Sequence, residues 1–83
     1  STLRKKGRPL TRFNLNKEGI IVEIAFSDYK LFERVVSMGL FPGEKIIVIN
    51  KVLNRIILKL REKKIALDNN IAERIKAVNY GKF

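Results

Sequence analysis

The sequence predicts a mainly all-β fold: a small, strongly bent barrel of about five strands with one short α-helix inserted after the first strand. Three observations carry that prediction. Apolar and polar residues alternate over short stretches, most strictly where Ile56, Leu58 and Leu60 interleave with Arg55, Ile57 and Lys59. Glycine, proline and asparagine punctuate the chain between those stretches. Over residues 29–36 alone, Leu31, Phe32, Val35 and Val36 recur at the three- and four-residue spacing of a one-faced helix.

Residues 1–9 hold Lys or Arg at four positions, together with Gly7 and Pro9, and have no apolar face to pack, so they are expected to form a flexible basic arm. The barrel domain is expected over residues 10–80. Leu10, Phe13 and Leu15 anchor its entry, and Asn16 and Gly19 stand where the chain must bend, since both residue types tolerate positive φ. Residues 20–26 read as the first strand, with Ile20, Val22, Ile24 and Phe26 on one face and Glu23 opposite. Ser27 or Asp28 is placed to cap the helix. Gly39 then ends it in a left-handed conformation while Leu40 folds back onto Val35. Pro42-Gly43 follows as a tight turn.

The next stretch, Lys45-Ile46-Ile47-Val48-Ile49 and on to Val52, is apolar on both faces and suits the central strand of a closed barrel. Leu53-Asn54 makes a weak hairpin turn, and the alternating strand returns from Arg55 to Leu60. Residues 61–64 turn the chain again. Ile65 and Leu67 mark a further strand, Asp68-Asn69-Asn70 caps a helical turn carrying Ile71 and Ala72, and residues 75–78 close the fold. Punctuation at this spacing points to a barrel of the Src-homology-3 type.

With 83 residues and no Trp, the core is small and aliphatic, and the stability expected is on the order of 5 kcal/mol. The formal net charge is +10. Its distribution is uneven, with six Lys or Arg and no acid in residues 1–17, and seven against Glu62 in residues 45–64. Such fields keep a small protein soluble and favour anionic partners, whether nucleic acid, acidic protein surfaces or phospholipid headgroups. The chain has no Cys and no His, which excludes disulfides, thiolate and imidazole metal sites, and triad-type catalysis. No apolar run approaches the ~20 residues that span a bilayer, and no apolar signal core follows the basic start. A cytoplasmic protein, peripheral to a membrane at most, is expected.

Leu10, Phe13, Asn16, Gly19, Ile21 and Ile24 precede the helix. After it come Met38-Gly39-Leu40-Phe41-Pro42-Gly43 with Ile46 and Val48, then Ile65-Ala66-Leu67, and last Ala72 with Ile75. This pattern resembles the ferrous iron transport protein A (FeoA) family, over residues 10–78. The same Src-homology-3-like domain also closes iron-dependent transcriptional repressors. The resemblance implies a non-catalytic accessory role in ferrous iron uptake, with the cytosolic part of a GTP-binding ferrous iron permease as partner. Asn16 and Glu62 stand where the family has glycines, Asp68 where it often has arginine, and the turn at Leu53-Asn54 is shorter than usual. Those departures bear on any partner surface built from the loops.

Asn16, Gly19, Gly39, Leu40, Pro42 and Gly43 are read as conformational residues that shape turns. The acids Asp28, Glu33, Glu44, Glu62, Asp68 and Glu73 are scattered without the spacing of a divalent-cation loop. Met38 is a single soft ligand, insufficient for iron, and is assigned to the core. A transition-metal label on the family therefore reflects iron biology; no metal ligand set, cofactor or catalytic residue is expected, and neither is an enzyme. Tyr29, Phe32 and Phe41 surround the helix and turn as a candidate aromatic groove, with Phe32 assigned to the core and Tyr29 and Phe41 as partner anchors. Arg55, Lys59, Arg61, Lys63 and Lys64 form a candidate basic face that steers the domain to an acidic surface or to headgroups. The alternative is nucleic-acid binding by that face, which offers Ile57 and lysines but no aromatic for base stacking.

Overall fold

Aliphatic alternation produces a ladder that runs almost without interruption through the chain. The computed structural model describes residues 7–80. Strand β1 (Arg8–Pro9) leads into a 3₁₀ turn (Leu10–Arg12), β2 (Glu18–Ile24) and helix α1 (Tyr29–Ser37). The meander β3 (Lys45–Val52), β4 (Arg55–Leu60) and β5 (Lys63–Asp68) comes next, then the single turn α2 (Asn69–Ala72) and β6 (Ile75–Asn79). All pairings are antiparallel, in the order β1-β6-β2-β3-β4-β5. The sixth strand arises because Arg8 and Pro9 pair with Ala77 and Lys76. Proline has no N–H to donate and is at home on such an edge. Of the expected arm, residues 1–6 lie outside the described residues, and the ladder reaches back to Arg8.

Inward side chains from every layer meet in one cluster that includes Leu10, Phe13, Ile21, Val35, Leu40, Ile46, Val48, Ile56, Leu58, Leu60, Leu67 and Ile75. Two bulges decide which residues join it. In β2 the register steps from Ile21↔Ala77 to Glu23↔Lys76, so Val22 is an extra residue. One extra residue reverses the in-and-out parity of the strand beyond it. Ile21 is fully buried, Ile24 packs on the cluster, and Val22, expected to share the face of Ile24, is 42% exposed. A second bulge in β3, between Val48 and Asn50, leaves Ile49 unpaired and bends the central strand.

Asp28 caps α1, its Oδ1 accepting from the Lys30 N–H at 2.9 Å. At the other end the Leu40 N–H donates to the Val35 carbonyl (3.2 Å) and the Gly39 N–H to that of Val36 (2.9 Å). With φ +94° at Gly39, this is a Schellman stop. The Glu44 N–H then donates to the Phe41 carbonyl at 3.1 Å across Pro42-Gly43, and φ +100° at Gly43 makes the turn type II. Both sides of that turn are tied to β2: the Gly43 N–H donates to the Ile21 carbonyl, and the Ile21 N–H to that of Glu44.

Further expectations change, beginning with Leu15, which does not anchor the entry with Leu10 and Phe13 but is 43% exposed. Phe32 is not a core residue but is 37% exposed, because it stands about 100° round the helix from Leu31, at the rim of the buried stripe through Val35. Gly19 lies inside β2 and does not make a bend; it sits against the Phe13 ring, where a Cβ would come within 2.6 Å. Asp68 precedes α2 but makes no side-chain cap, its carboxylate facing Arg55 instead.

Candidate docking surface

The outer face of the meander is set by register. Ile47 of β3 lies opposite Lys59 of β4, which lies opposite Lys64 of β5, and Glu18 of β2 extends the same rung. Two like charges sit directly across a ladder, an arrangement that costs stability when no anion relieves it. The next outward rungs are Ile57 with Ala66, then Arg55 with Asp68. Arg55 Nε is 3.8 Å from Asp68 Oδ1, a loose and exposed pair. Lys63, expected on the same basic face, stands opposite the buried Leu60 at the end of the ladder, so the strand's alternation directs it away from the face that carries Lys59 and Lys64.

Arg61 belongs to the two-residue turn between β4 and β5, with φ +58°. Its guanidinium grips Glu44 as a fork: Nε to Oε1 at 3.2 Å, one terminal nitrogen to Oε1 at 3.0 Å and to Oε2 at 3.1 Å. Of the five basic candidates, then, Arg55 and Arg61 are engaged with carboxylates, while Lys59, Lys63 and Lys64 have no acid within 4.0 Å among the described residues. A shallow groove of about 470 Å³ opens at Lys59, lined also by Glu18, Glu44, Lys45, Ile47 and Arg61.

The aromatic candidates lie on α1 and the turn after it. Tyr29 is 70% exposed and stacks on Phe32, ring centroids 6.4 Å apart, and Phe41 is exposed in the type II turn. Tyr29 and Phe32 form the one stacked pair among the described residues. Two further side chains escaped sequence reasoning. Tyr80, beyond the closing strand, lies under the Lys45 ammonium at 4.5 Å from its ring centroid. Leu53, at the tip of the β3–β4 turn, is 89% exposed. Its signal was legible: a leucine in a two-residue turn contradicts turn chemistry. Among the described residues no three acidic side chains gather as metal ligands, and no helix is long and apolar enough to cross a membrane.

The FeoA domain family model matches residues 8–78. The chain belongs to the FeoA family. It is similar in structure to an iron uptake regulatory protein, FeoA, with 28% identity and a TM-score of 0.75, covering 84% of this chain and 93% of the other. It is also similar to iron(II) transport protein A from Clostridium thermocellum, with 27% identity and a TM-score of 0.80, covering 88% of this chain and 46% of that one. A manganese-dependent transcriptional repressor shares the fold at 16% identity and a TM-score of 0.84; the match takes in 92% of this chain but 38% of the repressor. No curated protein matches the chain. The FeoA domain here is therefore the Src-homology-3-like barrel that also occurs within longer repressor chains.

Proposed function

We propose that this FeoA domain is a non-catalytic docking module of ferrous iron uptake, working in the cytoplasm with the cytosolic part of a ferrous iron permease that carries a GTP-binding domain. The family, and relatives named for iron uptake and iron(II) transport, support the role in ferrous iron transport. The observation that carries the docking reading is that Tyr29, Phe32 and Phe41 stand outside the core, which takes Phe13 and, at its margin, Phe26 among otherwise mostly aliphatic side chains. Exposed aromatics are the side chains most able to anchor a protein partner. Lys59 and Lys64 would orient the approach to an acidic surface. An effect on iron flux then arises from binding one state of the permease more tightly than another.

Isothermal titration of the chain into a permease's cytosolic GTP-binding domain tests this. Tyr29→Ala and Phe41→Ser are expected to weaken binding by about tenfold or more each, and Lys59→Glu with Lys64→Glu to slow association and reduce its salt dependence. Titration with duplex oligonucleotide is expected to give weak, salt-sensitive binding. Submicromolar oligonucleotide binding at physiological salt, lost in the lysine variants, would replace this reading with the nucleic-acid one.

A further inference from the structure

We propose that the β3–β4 hairpin tip, Val52-Leu53-Asn54, seats this domain on an anionic phospholipid surface by inserting Leu53 among the headgroups. Leu53 is 89% exposed and Val52 beside it 45%, which makes an apolar prow on a two-residue turn. Folding gains nothing from leucine there. Asparagine, aspartate and glycine are the residues that stabilise such turns, and neither Leu53 nor Asn54 takes the positive φ of the favoured hairpin types. The backbone of this turn asks for no particular side chain, and leucine touches no core, so its apolar surface is left for a contact outside the domain.

The flanks say what the tip meets. Lys51 and Arg55 bracket the turn in the ladder, Val52 being opposite Arg55. The Lys51 ammonium reaches the Thr11 carbonyl at 3.1 Å, which brings the 3₁₀ turn and its exposed Arg12 alongside. That hydrogen bond uses one of three ammonium donors. Arg55 is held by Asp68 only loosely, at 3.8 Å, so its outer nitrogens stay available. The tip is also firmly aimed: the Asn69 N–H donates to the Asn54 carbonyl at 3.0 Å, fixing the turn against α2. An exposed apolar side chain ringed by Lys and Arg is the composition that binds an anionic membrane interface, the leucine by burial and the cations by headgroup attraction. A protein groove would need acids around an apolar pocket to match it; an anionic bilayer presents both continuously.

The proposal is independent of the permease reading, and its test uses lipid alone. The chain contains no Trp, so Leu53→Trp supplies a single reporter at the tip. With vesicles of phosphatidylcholine and phosphatidylserine, its emission is expected to shift to the blue, and not with phosphatidylcholine alone. In co-sedimentation, Leu53→Glu is expected to lower the partition coefficient by about tenfold to a hundredfold, with an unchanged melting curve because the side chain packs on nothing. Failure of the unaltered chain to bind the anionic vesicles at low salt overturns the proposal. So does binding that Leu53→Glu leaves intact, which would make the contact purely electrostatic. Concentration-dependent self-association abolished by Leu53→Glu, without vesicle binding, would assign the tip to a second copy of this chain and overturn it equally.

Discussion

Between β3 and β4 the chain turns through Leu53 and Asn54, and between β4 and β5 through Arg61 and Glu62. Both loops have two residues, yet they solve the reversal differently. At the second, Arg61 takes φ +58°, a conformation that costs a side-chain-bearing residue about 1–2 kcal/mol. The bidentate grip on Glu44, whose side chain is only 16% exposed, offsets that strain and ties the turn to the start of β3. Leu60 precedes it in the core, against Gly39 of the helix stop. This end of the meander is knitted into the fold. At the first turn no residue is strained, no side chain is buried, and the tip offers an apolar group to solvent. The difference teaches that one end of the same β-ribbon maintains the structure while the other is free to contact something else.

The largest expected contrast is between two leucines. Leu60→Ala should destabilise the domain by about 2–5 kcal/mol, whereas Leu53→Ala should stay within about 0.5 kcal/mol of the parent. Urea denaturation of both variants measures it, and similar losses would erase the distinction between the ends. Next in size is Gly39→Ala, which should cost about 1–2 kcal/mol through positive φ, with its Cβ pressed to 3.1 Å from Leu60 Cδ2. A loss near zero would mean that the helix stop does not brace the pinned hairpin.

The Glu44–Arg61 fork is a smaller term, since Arg61 is largely exposed. Glu44→Ala should cost about 1 kcal/mol. In that background Arg61→Gly should restore stability by a similar amount, because glycine accepts the positive φ without a partner. A double-mutant cycle reads this directly, and additive effects would show that strain and fork are unrelated. Smallest is Leu53→Asn, which puts a turn-favouring residue at the tip and should stay within about 0.5 kcal/mol of the parent while removing the apolar side chain. Thermal melting at fixed protein concentration suffices to check it.

Much of this architecture could be read from the residues, and the exceptions have physical causes. The strands Lys45–Val52 and Arg55–Leu60 were legible to the residue, the first as a continuous apolar run and the second as strict alternation, because each is bounded by turns on both sides. The helix and its stop were legible because Gly39-Leu40 and Pro42-Gly43 encode positive φ and a fold-back in adjacent residues. The bulge at Val22 was not, since an extra residue in an apolar run leaves no mark in composition, and parity alone then puts the wrong side chains inside. Arg61 hid its positive φ because no glycine or asparagine stands there; the compensating acid, Glu44, is distant in sequence. Pairing by Arg8 and Pro9 was masked by a basic composition that reads as an arm. For the candidate surface, charge and aromatic content were visible, but the Glu44 fork that engages Arg61 and the exposure of Phe32 depend on packing between elements.

Amide chemical-shift mapping of the labelled chain, titrated with the cytosolic GTP-binding domain of a ferrous iron permease, tests the docking claim most directly. The account predicts saturable shifts around Tyr29, Phe32 and Phe41, with Lys59 and Lys64 responding on the outer face of the meander. Absence of shifts at high partner concentration, or shifts confined to regions away from those residues, would contradict it.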